Sequence, residues 1–169
     1  MKKLFLLVFS VLFIGLVVKI ADERLEVNRL KNVSLVTDAS SPIILISAED
    51  AVFELQLYNN NSAKQLLKQM PQTVVMTRWG EGSYGGSLVE KIDTASDKEY
   101  QRRAFFKGEV VLHQRENTLF LMFGPTPVGV TVDAPMLLAS GGVPVGRLKE
   151  YSELEQLSGV VEFSFRIKK

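Results

Sequence analysis

The chain contains no cysteine, one histidine and one tryptophan in 169 residues, and its charges almost cancel at +1. The lack of cysteine excludes disulfides, thiolate metal sites, a nucleophilic thiol and a lipidated lipoprotein start, and it suits an oxidising compartment without requiring one. The single histidine, His113, stands apart from any motif, which makes it a structural residue rather than a ligand or a base. Glu81 has no second carboxylate at fixed spacing, so the sequence points to no paired acid and base, no metal site and no cofactor. Setting aside Lys2, Lys3 and Lys19 leaves 17 basic and 19 acidic side chains. The folded part is therefore slightly acidic, which gives no footprint for nucleic acid. The apolar fraction of 46% is ample for the core of one domain.

One long apolar run is present. After Met1-Lys2-Lys3 comes "LFLLVFSVLFIGLVV", residues 4 to 18, followed by Lys19, Ile20 and Ala21. As a helix, residues 4 to 21 would extend roughly 27 Å, close to the ~30 Å of a bilayer's hydrocarbon. Lys2 and Lys3 keep the N-terminus cytoplasmic and send the remainder across. Cleavage after Ala21 would place Lys19 where a small residue is preferred, which favours an uncleaved anchor, with secretion after signal cleavage as the alternative. The expected arrangement is a single anchor at 1–21 in a bacterial inner membrane. A juxtamembrane helix and linker at 22–41 and a domain at 42–169 on the periplasmic or extracellular side would follow.

From Pro42 onward the pattern is that of strands. "IILISA" and "AVFELQL" form a hairpin across Glu49-Asp50. Ser62 with Gln65 has the spacing of a capping box, predicting a short helix up to Pro71. "TVVMTRW", "SLVEKI", "GEVVLHQ" and "TLFLMF" read as further strands, the last apolar on both faces as if covered on both sides. Residues 93 to 103 read as a surface connection, with Arg102 and Arg103 solvated. Four of the six prolines fall between 124 and 144, which predicts an elaborated loop rather than a central strand. "VGRL", a second capping box at Ser152 and Glu155, and "VVEFSFRI" complete the chain. In that last strand Val161, Phe163, Phe165 and Ile167 share a face.

"RWGEGSYGG", residues 78 to 86, places Gly80, Gly82 and Gly85 in the spacing of a dinucleotide-binding turn. Such a turn needs a helix opening at the glycines and an acidic residue about twenty positions on. "SLVEKI" is too short and too strand-like for that helix, and Glu81 would put a carboxylate in the phosphate cradle. The glycines are read as a bend between two strands, and no nucleotide is expected.

The order of elements, together with "WGE.SY" (Trp79 to Tyr84), "LFLMFGPTP" (Leu119 to Pro127) and "VGRL" (Val145 to Leu148), resembles the small bacterial cyclophilin-like family, across roughly residues 50 to 167. The resemblance implies a mainly β protein, a closed eight-stranded barrel with two short capping helices, here preceded by an N-terminal hydrophobic helix. In true cyclophilins a guanidinium donates towards the prolyl nitrogen while aromatic and aliphatic side chains hold the proline ring. Withdrawing the nitrogen lone pair lowers a barrier of ~18–20 kcal/mol. Arg78 and Phe123 match that guanidinium and ring by position. The aromatic and histidine that cyclophilins carry before "VGRL" are missing from "APMLLASGGVPVG", and "VLHQREN" replaces the family's aromatic, proline-rich turn after "GEV".

Arg78, Trp79, Tyr84 and Phe123 are accordingly the candidate ligand-binding residues, and none is assigned a catalytic role. Each has a plain structural alternative: a solvated strand charge for Arg78, and packing at the barrel end for Trp79 and Tyr84. His113 alternates with Val111 and is expected to face inward. The expected function is a membrane-tethered, non-catalytic module that binds a small ligand or peptide. Prolyl isomerisation is the alternative, and a purely structural envelope protein is the second.

Overall fold

Alternation of buried and exposed side chains builds the first strands. β1 (Ile43–Ala48) buries Ile44, Ile46 and Ala48, and β2 (Ala51–Leu57) buries Phe53, Leu55 and Leu57, the two meeting in a hairpin with Ala48 opposite Ala51. Glu49 takes φ 52° to make the turn. The computed structural model describes residues 41–113, 116–124 and 136–169. All belong to one compact unit, Leu35–Lys169. The leader, the juxtamembrane segment and the stretch 125–135 lie outside the described residues. Among the described residues no helix is long and apolar enough to cross a membrane.

Seven more strands follow: β3 (Gln72–Trp79), β4 (Ser83–Ser87), β5 (Arg102–Phe105), β6 (Glu109–His113), β7 (Thr118–Met122), β8 (Met136–Leu148) and β9 (Val160–Ile167). Their lateral order is β2-β1-β9-β3-β4-β7-β6-β8, and β8 returns to β2 through Leu55 opposite Leu148 and Leu57 opposite Gly146. The eight strands form a closed antiparallel ring, as expected. β9 is wedged between β1 and β3, so the last strand of the chain completes the wall beside the first. β5 stands outside the ring, paired among the described residues only with the first half of β8.

Closure gives each strand an inner face. Leu55, Met76, Tyr84, Val110, Leu112, Leu119, Leu121, Val145, Phe163 and Phe165 fill the barrel with Ile44 and Ile46. Each large apolar side chain so buried contributes roughly 1.5–3 kcal/mol. β6 and β7 are buried on both faces, as the apolar run of β7 predicts. Outside the barrel wall, Val111, Phe120 and Met122 join Phe105 of β5 in a second cluster against which Leu138 packs. His113 shares this outer side with Val111 and meets the Phe120 ring at 6.3 Å, correcting the inward orientation expected for it.

Each end of the barrel is plugged. Helix α1 (Asn61–Lys68) inserts Ala63 and Leu66 into the core at the end where β1 begins, and a 3-10 helix at Ser152–Glu155 inserts Leu154 at the other. The capping boxes do not form. Asn60 is the N-cap of α1, accepting from the Ala63 N–H at 2.8 Å, while Asp97 accepts from the Asn61 and Ser62 N–H groups at 3.1 and 2.6 Å. Three orphan donors of the first turn are thereby satisfied. At the second helix, Tyr151 is the cap and makes no side-chain capping bond.

Two expectations about connections are corrected. Residues 95–100 form a 3-10 helix whose buried Asp97 caps α1, and Arg102 is the first residue of β5 rather than a solvated residue of a loop. Pro144 lies within β8, opposite Val111, where the pairing with β6 is interrupted. A bulge tolerates the missing N–H, which is how a proline enters a central strand.

Candidate functional site

The glycine word is a hairpin. β3 and β4 pair with Trp79 opposite Ser83, leaving Gly80, Glu81 and Gly82 as the loop. Gly80 adopts φ 58°, a left-handed conformation that glycine accepts at no steric cost. The Gly82 carbonyl receives the N–H groups of Phe123 and Gly124 at 2.8 and 3.0 Å, tying the end of β7 to the loop. A strand, not a helix, follows the glycines. The dipole that would hold a pyrophosphate is not formed here.

Gly85 has a different task. It sits opposite Thr77 on one side and Phe120 on the other. A Cβ at Gly85 would approach the Phe120 ring to 2.7 Å. Because the glycine presents no side chain, Phe120 of β7 reaches across β4 and meets Trp79 of β3 edge-on, with centroids 5.5 Å apart and planes at 89°. Trp79 itself is 54% exposed, while Phe120 beneath it is buried. The result is an accessible indole on an aromatic support, beside the outer cluster and the His113 ring.

Strand alternation separates the four candidate residues. Arg78 and Trp79 are adjacent on β3 and point to opposite faces. Arg78, Tyr84 and Phe123 come together on the inner side: the guanidinium lies 5.3 Å from the Phe123 centroid, and the Tyr84 ring is 5.6 Å from Phe123 and 5.4 Å from Phe163. Tyr84 and Phe123 are fully buried. One recess lined by all four is therefore not what the barrel forms.

Arg78 is heavily engaged. Its Nη1 donates to the carbonyls of Glu155 and Leu157 at 3.0 and 2.6 Å, and its Nη2 reaches the Glu81 carbonyl at 3.5 Å. These carbonyls end the 3-10 helix and flank the hairpin, so the guanidinium staples the plug to the wall. Among the described residues the buried Tyr84 hydroxyl has no hydrogen-bond partner. Burial pushes the phenol's pKa up, opposed by the charge of Arg78 beside it.

A second polar cluster escaped the sequence reading. Buried Glu109 of β6 pairs with the Arg102 guanidinium, accepts from the Tyr58 hydroxyl at 3.2 Å and accepts from the Phe106 N–H at 2.8 Å. Arg102 also lies 5.4 Å from the Phe105 centroid and 5.9 Å from that of Phe106. One carboxylate thus pins both ends of β5 to the barrel. Burial, together with the Glu109 charge, pushes the Tyr58 phenol well above its ordinary range. The available signal was Glu109 itself, a charge at the head of an otherwise apolar strand.

The barrel, its plugs and the hairpin match a broader pattern. The profile of the cyclophilin-like family covers residues 46–166. The chain belongs to the cyclophilin-like family. A hypothetical protein of Archaeoglobus fulgidus, solved in solution, is similar in structure with a TM-score of 0.61 and 17% identity, over 76% of this chain and 95% of that one. At that identity the likeness concerns the fold. The comparison with curated proteins finds no match. Membership of the cyclophilin-like family therefore fixes the architecture, and activity must be argued from the residues themselves.

Proposed function

We propose that this cyclophilin-like chain is a non-catalytic binding module, held at a membrane by residues 4–21, that takes a small apolar ligand or peptide segment on the outer face around Trp79. The carrying observation is the half-exposed indole resting edge-on against buried Phe120 through the gap left by Gly85. A rigid aromatic with one free face costs little conformational entropy to engage and offers a large apolar area.

Arg78 argues against isomerisation. A catalytic guanidinium must be free to donate to the prolyl nitrogen as it pyramidalises, whereas both hydrogen bonds from Arg78 Nη1 go to backbone carbonyls. Its stacking partner Phe123 is fully buried and offers no wall to a proline ring. Trp79 is the chain's only tryptophan, so its emission reports directly on ligand capture. Residues 35–169 should show a saturable shift of that emission with an apolar prolyl tetrapeptide and no acceleration of its cis-to-trans conversion. Rapid turnover abolished by Arg78→Ala would promote the enzyme, and an unmoved emission across a panel of apolar peptides would remove the binding face.

A further inference from the structure

At the end of the barrel where the chain enters, one flank is lined by basic and apolar side chains alone. Pro42, the start of β1, α1 and the C-terminus all lie at that end: the Leu57 N–H bonds the Pro42 carbonyl and the Lys168 N–H bonds the Ile43 carbonyl. Helix α1, sequence NSAKQLLK, has no acidic residue and exposes Lys64 and Lys68. A shallow concavity beside it is lined by Leu45, Met70, Pro71, Arg166, Ile167 and Lys169. A neighbouring one includes Pro42, Lys64 and Leu67. No acidic side chain lines either. Ile167, which shares a strand face with Phe163 and Phe165, is 47% exposed: it pairs with Ile44 of β1, but β3 on its other side begins only opposite Phe165. Lys168 is engaged by Glu54, leaving Lys64, Lys68, Arg166 and Lys169 to act outward. Glu90 and Asp93 run along the other flank of α1, where Gln69 and Gln65 bond their backbone carbonyls.

At the opposite end the loops are acidic. Glu49 and Asp50 form the β1–β2 turn, Glu81 sits in the β3–β4 loop, and Glu153 and Glu155 belong to the 3-10 plug, all five exposed. Trp79 is at this end. The flank beside the departing N-terminal segment is thus free of acidic side chains on a domain whose charges are otherwise mixed, with Lys107 and Lys149 at the far end and Glu99 and Glu116 elsewhere at the near one.

We infer that the face formed by α1 and the C-terminus, with Lys64, Lys68, Arg166, Ile167 and Lys169, docks on an anionic lipid surface. The inference rests on the reading that residues 4–21 anchor the chain, which supplies the occupant. Only residues 22–40 separate that anchor from Ser41, a span of at most about 65 Å. A tether of this length holds a weakly attractive face at high effective concentration. Anionic headgroups attract exposed Lys and Arg within a Debye length of roughly 8 Å, while exposed Ile167 and the Leu45–Met70–Pro71 floor suit shallow contact with the interface. The acidic end is repelled, so docking turns Trp79 away from the bilayer and towards its ligands.

The test uses residues 35–169, the compact unit that contains the nine described strands and the core they enclose. Binding to vesicles of phosphatidylglycerol and phosphatidylcholine is compared with binding to phosphatidylcholine alone. Each Lys or Arg at the surface contributes about fivefold. The Lys64→Glu/Lys68→Glu/Lys169→Glu variant should therefore bind the anionic vesicles at least ~50-fold more weakly, and raising salt should release the parent domain. A Lys107→Glu variant, altered in the turn before β6 at the opposite end of the barrel, should stay within about threefold. Circular dichroism confirms that each variant folds. Equal affinity for both vesicle types, or equal weakening in both variants, would overturn the proposal. So would self-association through Ile167 in place of lipid binding. The anchor is absent from this test, so its failure strikes the basic face alone, whereas recovery of the full chain in the soluble fraction strikes the anchor.

Discussion

Replacing Glu109 by alanine should be among the most damaging single changes available to this barrel. The carboxylate is buried, and its removal leaves the Arg102 guanidinium, whose side chain is only 10% exposed, without its counter-ion. It also strands the Tyr58 hydroxyl and the Phe106 N–H. Breaking a buried pair from one side costs about 3–5 kcal/mol, and an orphaned neutral donor costs about 1–3 kcal/mol when it stays dry. These terms overlap, since a loosened β5 admits water, so the expected loss is about 4–5 kcal/mol. That is a large share of the roughly 5–15 kcal/mol that holds a domain together. Urea unfolding of residues 35–169, followed by Trp79 fluorescence and far-ultraviolet dichroism, measures it directly. Hydrogen exchange should show residues 102–106 opening first, because among the described residues β5 has no pairing with the ring apart from β8. Removing both charges, as in Arg102→Met/Glu109→Leu, should recover most of the loss, since a packed apolar pair avoids desolvating either ion. A cost below about 1 kcal/mol for Glu109→Ala would refute the latch.

Arg78→Ala should lower stability by about 2–3 kcal/mol through the lost bonds to the Glu155 and Leu157 carbonyls, measured by denaturant unfolding, while peptide capture at Trp79 survives. Gly85→Ala should cost about 1–3 kcal/mol by forcing Phe120 aside and should shift the Trp79 emission, a paired readout that mere destabilisation would not give. Glu54 is held down at about 2 by its hydrogen bonds to Lys149 and Lys168. Its folded pKa lies below the unfolded value of 4.5, so its contribution is present above that value and fades as pH falls towards 2. Glu54→Gln should flatten this acid limb of the stability profile.

The closed barrel was legible because strand alternation in "IILISA", "AVFELQL" and "VVEFSFRI" is strong and the family words fall at fixed places along it. Helix existence was legible too, but the capping chemistry was not. Asn60 and Ser62 are two residues apart, and the acid that satisfies the first turn, Asp97, comes from a segment with no hydrophobic period. Arg102 was lost for the same reason: only tertiary pairing with Glu109 distinguishes it from the solvated charges around it. At the candidate site, chain adjacency misled. Arg78, Trp79 and Tyr84 are neighbours in sequence, but the two-residue period of a strand sends Trp79 outward and the other two inward. The part played by Gly85, clearing a path between rings on two other strands, depends on the lateral order of β3, β4 and β7. Local patterning does not carry that order.

The position of β9 constrains how the molecule can be made. The wall beside β1 remains open until residues 160–167 have been synthesised and inserted, because β9 alone bridges β1 to β3. A growing chain can form the β1–β2 and β3–β4 hairpins early, yet the long-range ring must wait for the final strand. A product that stops before Val160 would carry two unsatisfied strand edges flanking an uncovered apolar interior, a template for aggregation rather than a smaller stable domain. The arrival of β9 therefore acts as the checkpoint for closing the ring.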